Sequence, residues 1–66
     1  MKLKNVKIGM KVQVKENADN WTYLAKGCIG EVLATDTSVC PVLVQFEDGC
    51  QEWGGHKGLR KIKGSK

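Results

Sequence analysis

The chain has 66 residues, a formal charge of +4 and 41% hydrophobic residues, enough for one small domain but not for a deep substrate cleft as well. No run of 18 apolar residues occurs, which excludes a membrane-spanning helix. The first ten residues alternate lysine with apolar side chains and lack the continuous apolar stretch of a secretory leader.

Lys7-Ile8-Gly9-Met10 predicts a turn into a first strand, Lys11 to Lys15, with Val12 and Val14 inward and Lys11, Gln13 and Lys15 toward water. From Glu16 to Lys26 the period is lost: Asn17, Asp19 and Asn20 are turn formers, and Trp21 and Tyr23 stand among them. Eleven residues make a long loop for so small a domain, and loops of that kind tend to carry function. A second strand spans about Cys28 to Thr35, with Cys28, Gly30, Val32 and Ala34 on one face and Ile29, Glu31 and Leu33 on the other.

Asp36-Thr37-Ser38 turns the chain into a third strand, Pro41 to Phe46, whose Val42, Val44 and Phe46 share a side. Pro41 suits the opening position because it has no N–H for a ladder. Asp48-Gly49 predicts a type I′ hairpin, with positive φ at both central residues, leading into a fourth strand from Cys50 to Trp53. Gly54-Gly55-His56-Lys57-Gly58 has room for one 3₁₀ turn, and Leu59 to Ile62 makes the last strand. The expected fold is all-β: a five-stranded small barrel forming a single domain over residues 1–66, with ends open to fraying.

Charge is segregated along the chain. Residues 1–15 carry Lys2, Lys4, Lys7, Lys11 and Lys15, and residues 57–66 carry Lys57, Arg60, Lys61, Lys63 and Lys66, with no acid in either stretch. Between them lie all seven acids and a single lysine, Lys26, so the ends sum to +10 and the middle to −6. If the first and last strands are neighbours, the basic residues merge into one face that steers an anionic partner. Lysines at sheet edges also discourage aggregation, with no partner involved.

Little points to catalysis. His56 is the one candidate base, sits among glycines where a solvent-exposed turn is expected, and has no spacing that pairs it with a thiol. Cys28, Cys40, Cys50 and His56 are separated by twelve, ten and six residues, whereas structural zinc sites bring ligands in close pairs. The cysteines are better read as small buried hydrophobes. Their odd number suits a reducing compartment better than a disulfide framework, so the expected setting is the cytosol, with no cofactor and no membrane partner. Gly27 to Gly30 precedes a strand and lacks the lysine of a phosphate loop.

Gly27-x-x-Gly30-x-Val32 after a basic, valine-alternating strand resembles the KOW motif of ribosomal and transcription-elongation proteins. The longer pattern of Trp21, Gly27-x-x-Gly30-x-Val32, Val42-x-Val44-x-Phe46-Glu47-Asp48-Gly49, Trp53 and Gly58-Leu59 is similar to the Mib/Herc2 type of domain. Both resemblances imply an SH3-like (KOW/Tudor-like) small barrel. The first implies contact with RNA, ribosome or RNA polymerase; the second implies peptide binding. KOW surroundings are usually basic, whereas strands two to four here are acidic. A fainter likeness, in strand alternation, a tryptophan (Trp21) after strand one and the Leu59-x-x-Ile62 ending, is to plasmid-encoded type II dihydrofolate reductase. Val44-Gln45-Phe46-Glu47 echoes half of that family's pore stretch and lacks its tyrosine.

The leading expectation is a non-catalytic module that contacts nucleic acid, or a ribonucleoprotein or polymerase, through Lys11, Lys15, Lys57, Arg60, Lys61 and Lys63. The alternative is a protein- or peptide-binding adaptor built on Trp21, Tyr23 and Trp53, with Glu47, Asp48 and Glu52 around a partner's basic or extended segment; Trp21 reads equally as a lid on one end of the barrel, with Trp53 packed under the final strand. An oligomeric reductase is a distant third.

Overall fold

The computed structural model describes residues 1–18 and 20–62; Lys63 of the expected basic set and Asp19 of the expected loop lie outside the described residues. Five strands form: β1 Lys11–Val14, β2 Ile29–Thr35, β3 Val42–Phe46, β4 Gln51–Gly54 and β5 Leu59–Lys61. They make one antiparallel sheet in the order β4-β3-β2-β1-β5. Helical structure among the described residues is limited to 3₁₀ turns at Leu3–Asn5, Tyr23–Ala25 and His56–Gly58. The domain is therefore all-β, five antiparallel strands in a small barrel-like fold that pairs the first strand with the last. No helix is long and apolar enough to cross a membrane among the described residues.

Alternation places the core. Val12 and Val14 of β1, Val32 of β2, Val42 and Val44 of β3 and Leu59 of β5 are the most completely buried side chains. β-branched residues dominate because their stiff side chains pack well on a pleated face. Val14 stands opposite Leu59 and Val32 opposite Val44, so the inward rows of adjacent strands meet directly.

The expected face of Cys28, Gly30, Val32 and Ala34 holds only in its middle. Cys28 precedes the strand, and the register shifts between Val32 and Ala34. The extra residue, Leu33, leaves Ala34 opposite half-buried Leu43 and ends the inward row. Gln13, expected in water, is half-buried because its Nε2 donates to the Gly27 carbonyl at 3.0 Å.

The β3–β4 turn is not of type I′. Gly49 has φ +89° while no residue other than glycine has positive φ among those described. The Gly49 N–H donates to the Phe46 carbonyl (2.9 Å) and the Phe46 N–H to the Cys50 carbonyl (2.8 Å). Glu47-Asp48-Gly49 is thus a three-residue loop with glycine in the left-handed position. Sterics decide: the Cβ of Asp48 penalises positive φ, and glycine has none. Asp48 Oδ1 then accepts the Cys50 N–H at 3.0 Å, and β4 starts at Gln51.

Residues 1–10 lie against the barrel. Val6 and Met10 are buried. Gly9 N–H donates to the Val32 carbonyl at 2.8 Å and Val32 N–H to the Met10 carbonyl at 2.9 Å, which prolongs the β1–β2 ladder. The Met1 amine donates to the Leu59 carbonyl at 3.2 Å. His56 is half-buried rather than solvent-exposed; its Nδ1 lies 2.8 Å from the Met1 carbonyl. A carbonyl only accepts, so that nitrogen carries the proton.

Candidate functional site

Pairing of β1 with β5 brings the two lysine-rich stretches together. Val12 stands opposite Lys61, Gln13 opposite Arg60 and Val14 opposite Leu59. The Ile62 N–H donates to the Lys11 carbonyl at 3.1 Å, and the Lys15 N–H to the Gly58 carbonyl at 2.8 Å, next to Lys57. Lys11, Lys15, Lys57, Arg60 and Lys61 are all exposed. Arg60 and Lys61 are consecutive on a strand and so project to opposite faces: the basic groups wrap an edge rather than pave one plane. Lys11 stands opposite Glu31 in the β1–β2 ladder, which places a carboxylate-bearing residue beside that lysine. The Met1 amine joins the same region. Partial burial lowers its pKa, and the charge of Lys15 lowers it further.

The aromatic set comes apart. Trp21 is 5% exposed and belongs to the core, which removes it from the expected peptide-binding surface. Its Nε1–H donates to the Gly55 carbonyl at 2.9 Å. Its ring meets Phe46 edge-on, with centroids 6.1 Å apart and planes at 78°. Gly54 and Gly58 form the bed on which the indole lies: a Cβ at Gly54 would strike Trp21 Cε2, and one at Gly58 would come within 2.8 Å of Trp21 Cδ1. The loop folds this way because the ring buries a large apolar area while its one polar atom finds an acceptor. Trp53 is 42% exposed, facing Leu43 across the β3–β4 ladder, and Tyr23 is 84% exposed on its 3₁₀ turn.

Glu47 and Asp48 line a cleft of about 540 Å³ between the β1–β2 loop and the β3–β4 hairpin. Its apolar lining comes from Leu24, Cys28, Ile29 and Phe46. Leu24 is 85% exposed and Ile29 37%. Three carboxylates border it, Glu47, Asp48 and Glu52, and no lysine or arginine is among its lining residues. Glu52 also ties down the loop: Oε1 accepts the Thr22 N–H at 2.9 Å and Oε2 the Thr22 hydroxyl at 3.1 Å. The Cys28 thiol donates to the Leu24 carbonyl at 3.4 Å. The Cys50 thiol is held above its ordinary pKa by its interaction with Asp48 and the charge of that carboxylate.

Leu24, Cys28 and Ile29 were missed as site residues in the sequence. Leu24 offered the one available signal, a large aliphatic side chain in a loop without period. Among the described residues, no group of three histidine, cysteine, aspartate or glutamate side chains is arranged to hold a metal ion.

Comparison with protein-family models, with curated proteins and with solved structures gives no match to this chain. Neither the KOW nor the Mib/Herc2 likeness therefore gains support beyond the motifs themselves, and the small-barrel description stands on the strand order.

Proposed function

We propose that this chain is a non-catalytic binding module that contacts nucleic acid, or a nucleic-acid-bound machine, through the basic edge of β1 and β5. One observation carries the proposal: the β1–β5 register, which joins Lys11 and Lys15 to Lys57, Arg60 and Lys61 although some forty residues separate the two stretches. Convergent cations attract a polyphosphate and release its counterions on binding. Groups that wrap an edge suit contacts to sugar and phosphate, which position a duplex or strand without reading its sequence. The KOW-like character of Gly27-x-x-Gly30-x-Val32 belongs to the same proposal, as does a cytosolic setting, which the free thiols of Cys28, Cys40 and Cys50 support.

The test is a titration of labelled single- and double-stranded DNA and RNA at two salt concentrations. Binding that weakens steeply with salt is expected. No binding even at low salt would overturn the proposal.

A further inference from the structure

The cleft between the β1–β2 loop and the β3–β4 hairpin has the opposite electrostatic character to the basic edge. Its floor of Leu24, Ile29 and Phe46 is apolar, and its border of Glu47, Asp48 and Glu52 is acidic. The cleft, about 540 Å³ in volume, is open to solvent, as a groove for a chain segment would be. Leu24 is 85% exposed and stands outside the buried core, although Phe46 in the same lining belongs to that core.

We propose that this cleft docks an extended, arginine- or lysine-bearing segment of a protein partner, with an aliphatic side chain seated between two cations. Charge complementarity selects the occupant. Three carboxylates border an apolar floor with no cation in the lining, so an acidic segment or a phosphate would meet like charge. Although the whole chain carries +4, charges beyond about 8 Å are largely screened at physiological ionic strength. Lys26, between the lining residues Ala25 and Gly27, is the one cation next to the lining in sequence, and it stands against three carboxylates. In an extended segment, residues two apart face the same way, roughly 6.6 Å from one another. One aliphatic residue can thus enter the floor while a cation on either side reaches the border. Arginine fits best, since its planar fork matches a carboxylate. Trp21 is buried and Phe46 is the one aromatic in the lining, so the cleft has no aromatic cage for a methylated lysine.

The probe is the blocked peptide Ser-Arg-Ser-Leu-Ser-Arg-Ser, titrated into the full chain while backbone amide shifts are followed. Expected are saturable shifts confined to residues 22–29 and 46–52. Binding should be lost with glutamates in place of both arginines, and weakened about fivefold or more with serine in place of the leucine. Leu24→Ser should weaken binding about fivefold or more, and Glu47→Gln about two- to fivefold as a single exposed ion pair is removed. Both side chains are exposed, so neither change disturbs the fold; an unaltered amide spectrum outside the cleft verifies this. Equal binding of the glutamate peptide, shifts elsewhere or none, or full affinity in both variants would each overturn the proposal. So would concentration-dependent shifts at these residues without peptide, which would make a second copy of the chain the occupant.

Discussion

The indole Nε1–H of Trp21 donates to the carbonyl of Gly55 at 2.9 Å, linking the long β1–β2 loop to the segment that joins β4 to β5. A loop residue thereby closes one end of the barrel. Trp21→Ala should destabilise the domain by about 3–5 kcal/mol, a large part of what a chain this short possesses. If that variant does not fold, Trp21→Phe gives the measurement. It keeps a ring but orphans the Gly55 carbonyl, at a cost of about 1–3 kcal/mol. Urea unfolding reads both, and an unmoved midpoint would mean that the ring is not core.

Two glycine-to-alanine changes should destabilise for different reasons. At Gly49 an added Cβ meets nothing within 4 Å but must adopt φ +89°, costing about 1–2 kcal/mol. At Gly54 it strikes the buried Trp21 ring, and overpacking costs about 1–3 kcal/mol. Combining each with Trp21→Phe separates the causes. The smaller ring should relieve part of the Gly54→Ala penalty, while Gly49→Ala should remain additive within about 0.5 kcal/mol. Additivity at both positions would contradict the contact.

Asp36 is held below the ordinary carboxylate range, chiefly because the Ser38 hydroxyl donates to its Oδ1 at 2.7 Å and the Ser38 N–H at 2.8 Å. Both bonds favour the ionised form. The sign follows: the unfolded chain takes up the proton first as pH falls. The contribution of Asp36 to stability is present above the ordinary carboxylate pKa and is lost as pH drops through the lower folded value. Carboxyl NMR titration should show the Asp36 pKa rising on Ser38→Ala. A value that stays put would rule out the hydroxyl bond as its chief cause, since the Ser38 N–H bond survives the change.

Cys50 should be a sluggish nucleophile, because Asp48 disfavours its thiolate. Alkylation by iodoacetamide near pH 8, followed by mass spectrometry, should be faster at Cys50 in Asp48→Asn than in the parent chain. Equal rates would mean that the carboxylate does not act on the thiol.

For the basic edge, Lys57→Ala and Arg60→Ala should each weaken nucleic-acid binding and reduce the salt slope by about one unit. The loss should be similar across unrelated sequences, since phosphate contacts carry no base information. A sequence-dependent loss would point to base contacts instead.

The strands were legible because valine alternation and the glycine-marked turns speak for themselves. Val12, Val14, Val32, Val42 and Val44 need no distant information to be assigned inward. Trp21 was legible only in part: its segment has no period, so the sequence leaves the indole equally open as a lid on the barrel and as a binding surface. What decides its burial is the bed of Gly54 and Gly58 more than thirty residues on. Three glycines within 54–58 signalled a 3₁₀ turn in the sequence; they also marked where a bulky group approaches. The bulge at Leu33 leaves no mark in the alternation, and Asp48-Gly49 reads as a two-residue turn until the Cβ of Asp48 is weighed, which leaves Gly49 alone with positive φ. Among candidate site residues, Lys11, Lys15, Lys57, Arg60 and Lys61 lie on or beside the paired β1 and β5 strands, but they wrap an edge and do not merge into the single face expected. The cleft escaped notice because its floor joins a loop leucine to outward-facing Ile29, side chains that belong to no common periodic face.

The fit of one flat ring onto side-chain-free backbone carries an implication for how this sequence can drift. Enlarging position 54 requires shrinking position 21 in the same lineage, and neither step alone is neutral. The pair is an internal ratchet: variants arising along a lineage should keep tryptophan with glycine or lose both, with mixed combinations purged.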